Sequence, residues 1–181
     1  MSHDLLSSLD SLSRPDGVPS TAVSLMVRER RGRYRVARAE EVLLAAQRVL
    51  AARVRGMSVL SSVAAVREFL LARLATLDHE VFALLHLDAH QRVIDYVEMF
   101  RGSLTQTSVY PREVVKDALR LNSAGVVLVH NHPSGLSDPS SADYALTRTL
   151  TSALALVDVR VFDHFIVGST TITSMAERGL F

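Results

Sequence analysis

Val126-Val127-Leu128-Val129-His130-Asn131-His132-Pro133-Ser134-Gly135 runs from four apolar residues, through two histidines, into a turn. The apolar run suits a central strand covered on both faces. Side chains alternate along a strand, so His130 and His132 project to the same side at its end. Pro133 to Pro139 is rich in Pro, Gly, Ser and Asp, all turn formers. A helical stretch is then expected from Ser140 to Ala155, with Asp143 in its first turn, where the helix dipole favours a carboxylate. The ordered set is His-x-His, seven residues, Ser, two residues, Asp. A short loop returning from the strand end could lay that first turn over the two imidazoles. Two imidazoles and one carboxylate suit zinc, and they leave the fourth position of a tetrahedral site open, as catalytic zinc sites do.

A second carboxylate, Glu80, opens an expected strand from Glu80 to Leu87. Zinc lowers the pKa of a water it holds to roughly 7, so a carboxylate can take that proton near neutral pH. A hydroxyl such as that of Ser140 could stabilise the oxyanion formed on an amide carbonyl. Each residue also has a plainer reading. Ser140-x-x-Asp143 is close to a helix capping box with Asp in place of Glu, and one residue can do both jobs. Glu80 by itself is equally an ordinary carboxylate at a strand start. Asp163 and His164 could orient a ligand from behind or simply hold their strand. Whether Arg101 and Ser103 face the site is open in the same way. His79, His86 and His90 have no spacing that joins the set.

Beyond these residues the chain carries Phe100-Arg101-Gly102-Ser103, then Ser108-Val109-Tyr110-Pro111-Arg112-Glu113-Val114, then His130 to Gly135. Asp163-His164-Phe165-Ile166-Val167-Gly168 and Glu177-Arg178-Gly179-Leu180 follow. Over about residues 57 to 181 this resembles the JAB/MPN (JAMM) metalloprotease family, and within it the bacterial RadC group. The resemblance implies an α/β fold with a mixed sheet flanked by helices in a single compact domain. It implies zinc as cofactor, held by His130, His132 and Asp143. It implies Glu80 as general base and acid, and Ser140 as the oxyanion helper. There are departures. Longer RadC proteins carry a helix-hairpin-helix region, whereas residues 1 to 40 lack a Gly-x-Gly pattern, so the short form is expected. The loop reads Leu136-Ser137-Asp138-Pro139 where RadC proteins place Asp-Pro directly after the glycine. Ligand spacing is kept, but the surface facing a substrate can differ.

The remaining elements follow from pattern. Ala39 to Val54 is rich in Ala, Leu, Glu and Arg and stops before Gly56, a helical extension over 39 to 56. Ser61 or Ser62 can cap a helix whose buried stripe is Val63, Val66, Leu70, Leu74 and Leu77, ending at about Leu77. Val81 to Leu87 and Val93 to Phe100, joined by a turn at Asp88 to Gln91, read as a hairpin. Pro111 suits the first turn of a helix continuing through Arg112 to Leu121. Val159 to Val167 and Thr170 to Thr173 read as closing strands.

Composition narrows the classes of function. A chain of 181 residues has room for one compact domain with extensions. It has no cysteine, which excludes a disulfide framework, Cys-based zinc fingers and the Cys-containing zinc deaminase signature. No apolar run is long enough to span a membrane. No basic start followed by an apolar core marks a signal peptide, so the cytoplasm is the expected compartment. Net charge is +1, near neutral, so the whole chain is not an obvious polyanion binder. Residues 1 to 38 read as a flexible extension, tail-like over 1 to 22. Its arginines crowd between Arg28 and Arg38. That cluster is either a solvated segment or an arm making weak contact with nucleic acid. Three functions stay open: a zinc peptidase or isopeptidase acting on a protein or peptide, a nucleic-acid-associated factor of a mobile element, and a silent zinc-binding interaction module. The oligomeric state is not legible.

Overall fold

Val81 to Leu87 carries no acidic or basic side chain except His86, and all seven residues are buried. Such a strand needs cover on both faces, and the computed structural model supplies it. The structure describes residues 25–59, 62–102 and 109–180. The tail over 1 to 22, Ser61, Ser103 and Ser108 lie outside the described residues. Two units are present, divided between Ala39 and Glu40.

The first unit holds a small antiparallel ribbon, β1 (Met26–Arg28) and β2 (Tyr34–Val36). Its turn passes through Gly32 at a φ of 80°, a conformation open to glycine, and Arg35 pairs with Glu29 at 3.3 Å. The arginine cluster thus sits on a hairpin, where an irregular segment or arm is expected from the sequence.

In the second unit α1 (Ala39–Val54, all but its first residue in this unit) and α2 (Val63–Leu74) are followed by the hairpin β3 (Val81–Leu87) and β4 (Val93–Arg101). Then come α3 (Pro111–Arg120), β5 (Gly125–Asn131), α4 (Ser141–Ala155), β6 (Arg160–Val167) and β7 (Ile172–Ser174). The five strands form one mixed sheet in the order β4-β3-β5-β6-β7, with only β5 and β6 parallel. That parallel pair needs a crossover connection, which α4 provides. Alternation sorts the core. Val81, Ala83, Leu85, Val127 and Val129 meet Val66, Phe69, Leu70 and Leu74 of α2 on one face. Phe82, Leu84, Val126 and Leu128 meet Val114 and Ala118 of α3 and Leu150 and Leu154 of α4 on the other. The chain is therefore an α/β fold with a mixed sheet flanked by helices.

Several boundaries differ from the sequence reading. β3 begins at Val81, leaving Glu80 just outside it. α2 ends at Leu74, and its buried face includes Ala65 and Phe69, while Val63 and Leu77 are only half-buried. Ser62 occupies the N-cap but its side chain makes no cap bond. β7 starts at Ile172 because Gly168 and Thr171 close the preceding turn with a 2.8 Å backbone bond.

Candidate metal centre

Even-numbered residues of β5 face α4, so His130 points towards the first turn of that helix. His132 lies just past the strand, and its N–H donates to the Val167 carbonyl at 2.9 Å, prolonging the pairing with β6. The turn that follows is tight. Gly135 has a φ of 83°, and the Ser169 N–H donates to its carbonyl at 3.0 Å. A Cβ on Gly168 would run into that same carbonyl, so a glycine there lets the two loops close on each other.

The loop delivers Ser140 to the N-cap of α4. Asp143 Oδ2 accepts from the Ser140 N–H and from its hydroxyl, both at 2.7 Å, and the Asp143 N–H donates back to Ser140 Oγ at 3.2 Å. This is a complete capping box. The plainer reading of Ser140 and Asp143 thus holds, and it aims the rest of the carboxylate at the histidines. Asp143 Oδ1 lies 3.0 Å from His130 Nε2, and Oδ2 lies 3.5 Å from His132 Nε2. The two Nε2 atoms are 2.9 Å apart. Ligand atoms of His130, His132 and Asp143 all fall within 4.8 Å of one another.

The chemistry of this donor set can be tested against a cation. His132 Nδ1 is 2.9 Å from the Leu136 carbonyl, which can only accept, so Nδ1 carries a proton. In the neutral ring Nε2 is then a lone pair. It faces His130 Nε2 at 2.9 Å and Asp143 Oδ2 at 3.5 Å, with no proton of its own to share with either. Such an arrangement is satisfied by positive charge placed between the three atoms. The residues fit a metal ion. Electrostatics agree. A hydrogen bond to Asp143 is the main reason the His132 pKa is raised, against burial. Burial alone would raise the Asp143 carboxyl, but both imidazoles and Ser140 outweigh it and hold the group well below the usual carboxylate range.

Glu80 stays outside this trio. The β3–β5 pairing ends at Phe82 with His130, leaving Glu80 two residues before that pair and His132 two residues after it. The Glu80 charge acts on His132, raising that ring's pKa. Two residues hold the Glu80 backbone. The Gly102 N–H donates to its carbonyl at 2.8 Å. Asn131, the middle residue of the His-x-His, points to the opposite face. It accepts from the Val81 N–H at 2.8 Å and donates to the His79 carbonyl at 3.0 Å, gripping the chain on either side of Glu80. Sequence reasoning passed over Asn131 as a spacer, although an amide at the end of a buried apolar strand is itself a signal.

The other residues separate clearly. His164 is fully buried and its Nε2 is 2.8 Å from His130 Nδ1, so it backs a candidate ligand. Asp163 is structural: it accepts from the N–H groups of His164 and Ala176 and from the Ser174 hydroxyl. Arg101 is paired with Glu98 at 3.1 Å. Thr147, missed by sequence reasoning, bonds both His164 and the Asp143 carbonyl; its place one helical turn after Asp143 was the available clue.

Fold and donor set together are those of an α/β domain in which three side chains at one end of the sheet are placed so that they could hold a metal ion. Residues 60–180 match the RadC-like JAB domain family, and the chain belongs to it. It is 55% identical over 141 residues to a UPF0758 protein of Leptothrix cholodnii, covering 78% of this chain and 64% of that protein. It is 59% identical over 139 residues to a UPF0758 protein of a Polaromonas species, covering 77% and 62%. A UPF0758 protein of Aromatoleum aromaticum is 49% identical over 181 residues, covering 99% of this chain and 80% of the relative. The chain thus spans a little under two thirds of the length of the first two relatives. Among the described residues no helix is long and apolar enough to cross a membrane.

Proposed function

We propose that the chain is a zinc-dependent hydrolase of amide bonds, a peptidase or isopeptidase acting on a protein or peptide in the cytoplasm. Zinc held by His130, His132 and Asp143 would supply Lewis acidity, polarising a carbonyl oxygen and making water a stronger acid. On this reading Glu80 takes the proton of the attacking water and passes it to the leaving nitrogen. Ser140 donates a hydrogen bond from its hydroxyl to the carbonyl oxygen as charge builds there. In the structure that hydroxyl donates to Asp143 Oδ2, so it must turn away from the carboxylate. The Ser140 N–H still holds Oδ2 when it does.

The observation that carries this reading is Glu80: a carboxylate near enough for its charge to act on His132, yet outside the ligand trio. The test is Glu80→Gln against an unbiased library of peptides and ubiquitin-like conjugates, read by mass spectrometry. The variant should keep zinc and lose about two to four orders of magnitude in rate, the usual worth of a positioned acid or base. Cleavage at the wild-type rate would end the proposal. Glu80-dependent cutting of nucleic acid without any amide cleavage would replace it.

A further inference from the structure

Behind the three candidate ligands runs a chain of hydrogen bonds whose polarity can be worked out from one end. Thr147 Oγ1 lies 2.6 Å from the main-chain carbonyl of Asp143, one turn back along α4. A carbonyl cannot donate, so this bond uses the only proton of the hydroxyl. Thr147 Oγ1 is also 2.6 Å from His164 Nδ1. With its proton committed, the oxygen can only accept there, and His164 Nδ1 must carry a hydrogen. His164 has no exposed surface, and its ring packs edge-on against Phe82 and beside His130. A neutral ring with its hydrogen on Nδ1 has a lone pair on Nε2. That lone pair lies 2.8 Å from His130 Nδ1, which is therefore the donor. His130 in turn is left with its lone pair on Nε2, aimed at Asp143 Oδ1 and His132 Nε2.

We propose that Thr147 and His164 are positioning residues that fix the tautomer of His130, so that Nε2 stays unprotonated for a metal ion. This rests on the metal reading of the site and adds a direction to it. The main chain of one candidate ligand, Asp143, dictates through two buried side chains which nitrogen the other ligand presents. His132 is set separately, by the Leu136 carbonyl. The rings thus have independent controls, one from α4 and one from the loop before it. Partners of this kind behind a metal-binding histidine orient the ring and fix its tautomer. Here the fully buried relay means that a lost oxygen cannot be replaced by solvent.

The discriminating variants are Thr147→Val, which keeps the shape and removes the oxygen, and Thr147→Ser, which keeps the oxygen. Zinc chloride is the probe, titrated into the full chain against a competing chelator. Ring nitrogens are followed by 15N NMR at about pH 9, above the ordinary histidine range. In wild type His164 should carry its hydrogen on Nδ1 with and without zinc. Thr147→Val should bind zinc about 10- to 100-fold more weakly, and Thr147→Ser should bind it as wild type does. A purely structural role for Thr147 would lower the thermal midpoint of the metal-free chain without separating the two variants in zinc affinity. His164 protonated on Nε2, or Thr147→Val binding zinc within about twofold of wild type, would overturn the relay. Should wild type take up no zinc at all, the metal reading falls, and the His164 tautomer alone still decides the relay. Should Thr147→Val fail to fold, that tautomer in wild type and in Thr147→Ser decides it.

Discussion

Two histidine clusters are set into the same pair of strands, at opposite ends, and only one of them asks for an ion. At one end His86 is fully buried, with Nδ1 2.8 Å from Ser123 Oγ and Nε2 3.0 Å from Asp117 Oδ2, though out of line for a good hydrogen bond. Asp117 is also bonded by Arg120 at 2.8 Å. Each ring nitrogen there has its own neighbour, a hydroxyl that can donate or accept and a carboxylate already paired with a cation. At the other end His130, His132 and Asp143 turn acceptor atoms towards one another. Burial and polar neighbours are common to both clusters. What separates a structural histidine from a candidate ligand is where the second nitrogen points once the first has found its partner.

The largest effect expected from this contrast is at Asp143. Asp143→Ala removes the carboxylate that faces both Nε2 atoms, and stoichiometric zinc should be lost, measured by metal analysis after dialysis at submicromolar free zinc. His132→Ala should behave alike. Asp143→Ala also removes the capping box of α4, so a stability loss of about 1 kcal/mol should accompany it in denaturant unfolding. Retained stoichiometric zinc in either variant would break the ligand assignment and make the two clusters equivalent.

Next is Asn131. Asn131→Ala leaves the Val81 N–H and the His79 carbonyl without their partner and frees the backbone on both sides of Glu80. Zinc binding should survive. Hydrolysis of a substrate found with the wild type should fall by about 100-fold, because a shift of the order of 1 Å in a catalytic group costs that much. Loss of zinc with the rate per bound zinc unchanged would place Asn131 on the ligand side of the site.

A smaller effect follows from the raised pKa of His132, due first to its hydrogen bond with Asp143. The metal-free chain keeps that proton to a pH above the ordinary value of about 6.5, so its stabilisation is full below that value and is lost as pH rises through the folded pKa. A metal ion must displace the same proton. Zinc affinity should therefore climb by about tenfold per pH unit below the folded pKa and flatten above it. Titrations across that range with a competing chelator give the profile, and a flat profile would show that no proton is displaced from the trio.

Much of this site is legible along the chain because its parts are local. The apolar run of β5, the alternation that puts His130 and His132 on one side, and the Ser140-Asp143 spacing are all short-range patterns. What is not legible depends on strands and helices meeting. His164 reaches His130 only because β5 and β6 lie parallel, and Thr147 reaches His164 only because α4 crosses over that pair. Glu80 gains its place from backbone held just ahead of β3 by Gly102 and by Asn131, bonds between residues far apart in the chain. The ribbon near Arg28 escaped notice because strands of three residues are too short to show a period.

The smallest effect on metal, and the sharpest check of the contrast, belongs to His86. His86→Gln removes the ring that joins β3 to Asp117 of α3 and to Ser123 ahead of β5. The buried Ser123 hydroxyl then loses its ring partner, and unfolding free energy should drop by about 1–3 kcal/mol. Zinc affinity should stay within about twofold of wild type, since sites without shared partners act independently. The same holds for chelator treatment read in reverse. Removing metal should lower the thermal midpoint of wild type and of His86→Gln by equal amounts, because the bound ion stabilises only the fold that presents the trio. If instead His86→Gln lost zinc while remaining folded, the two ends of the β3–β5 pair would be coupled through the sheet. The distinction between a closed histidine cluster and one built around a cation would then have to be drawn over the whole α3–α4 face.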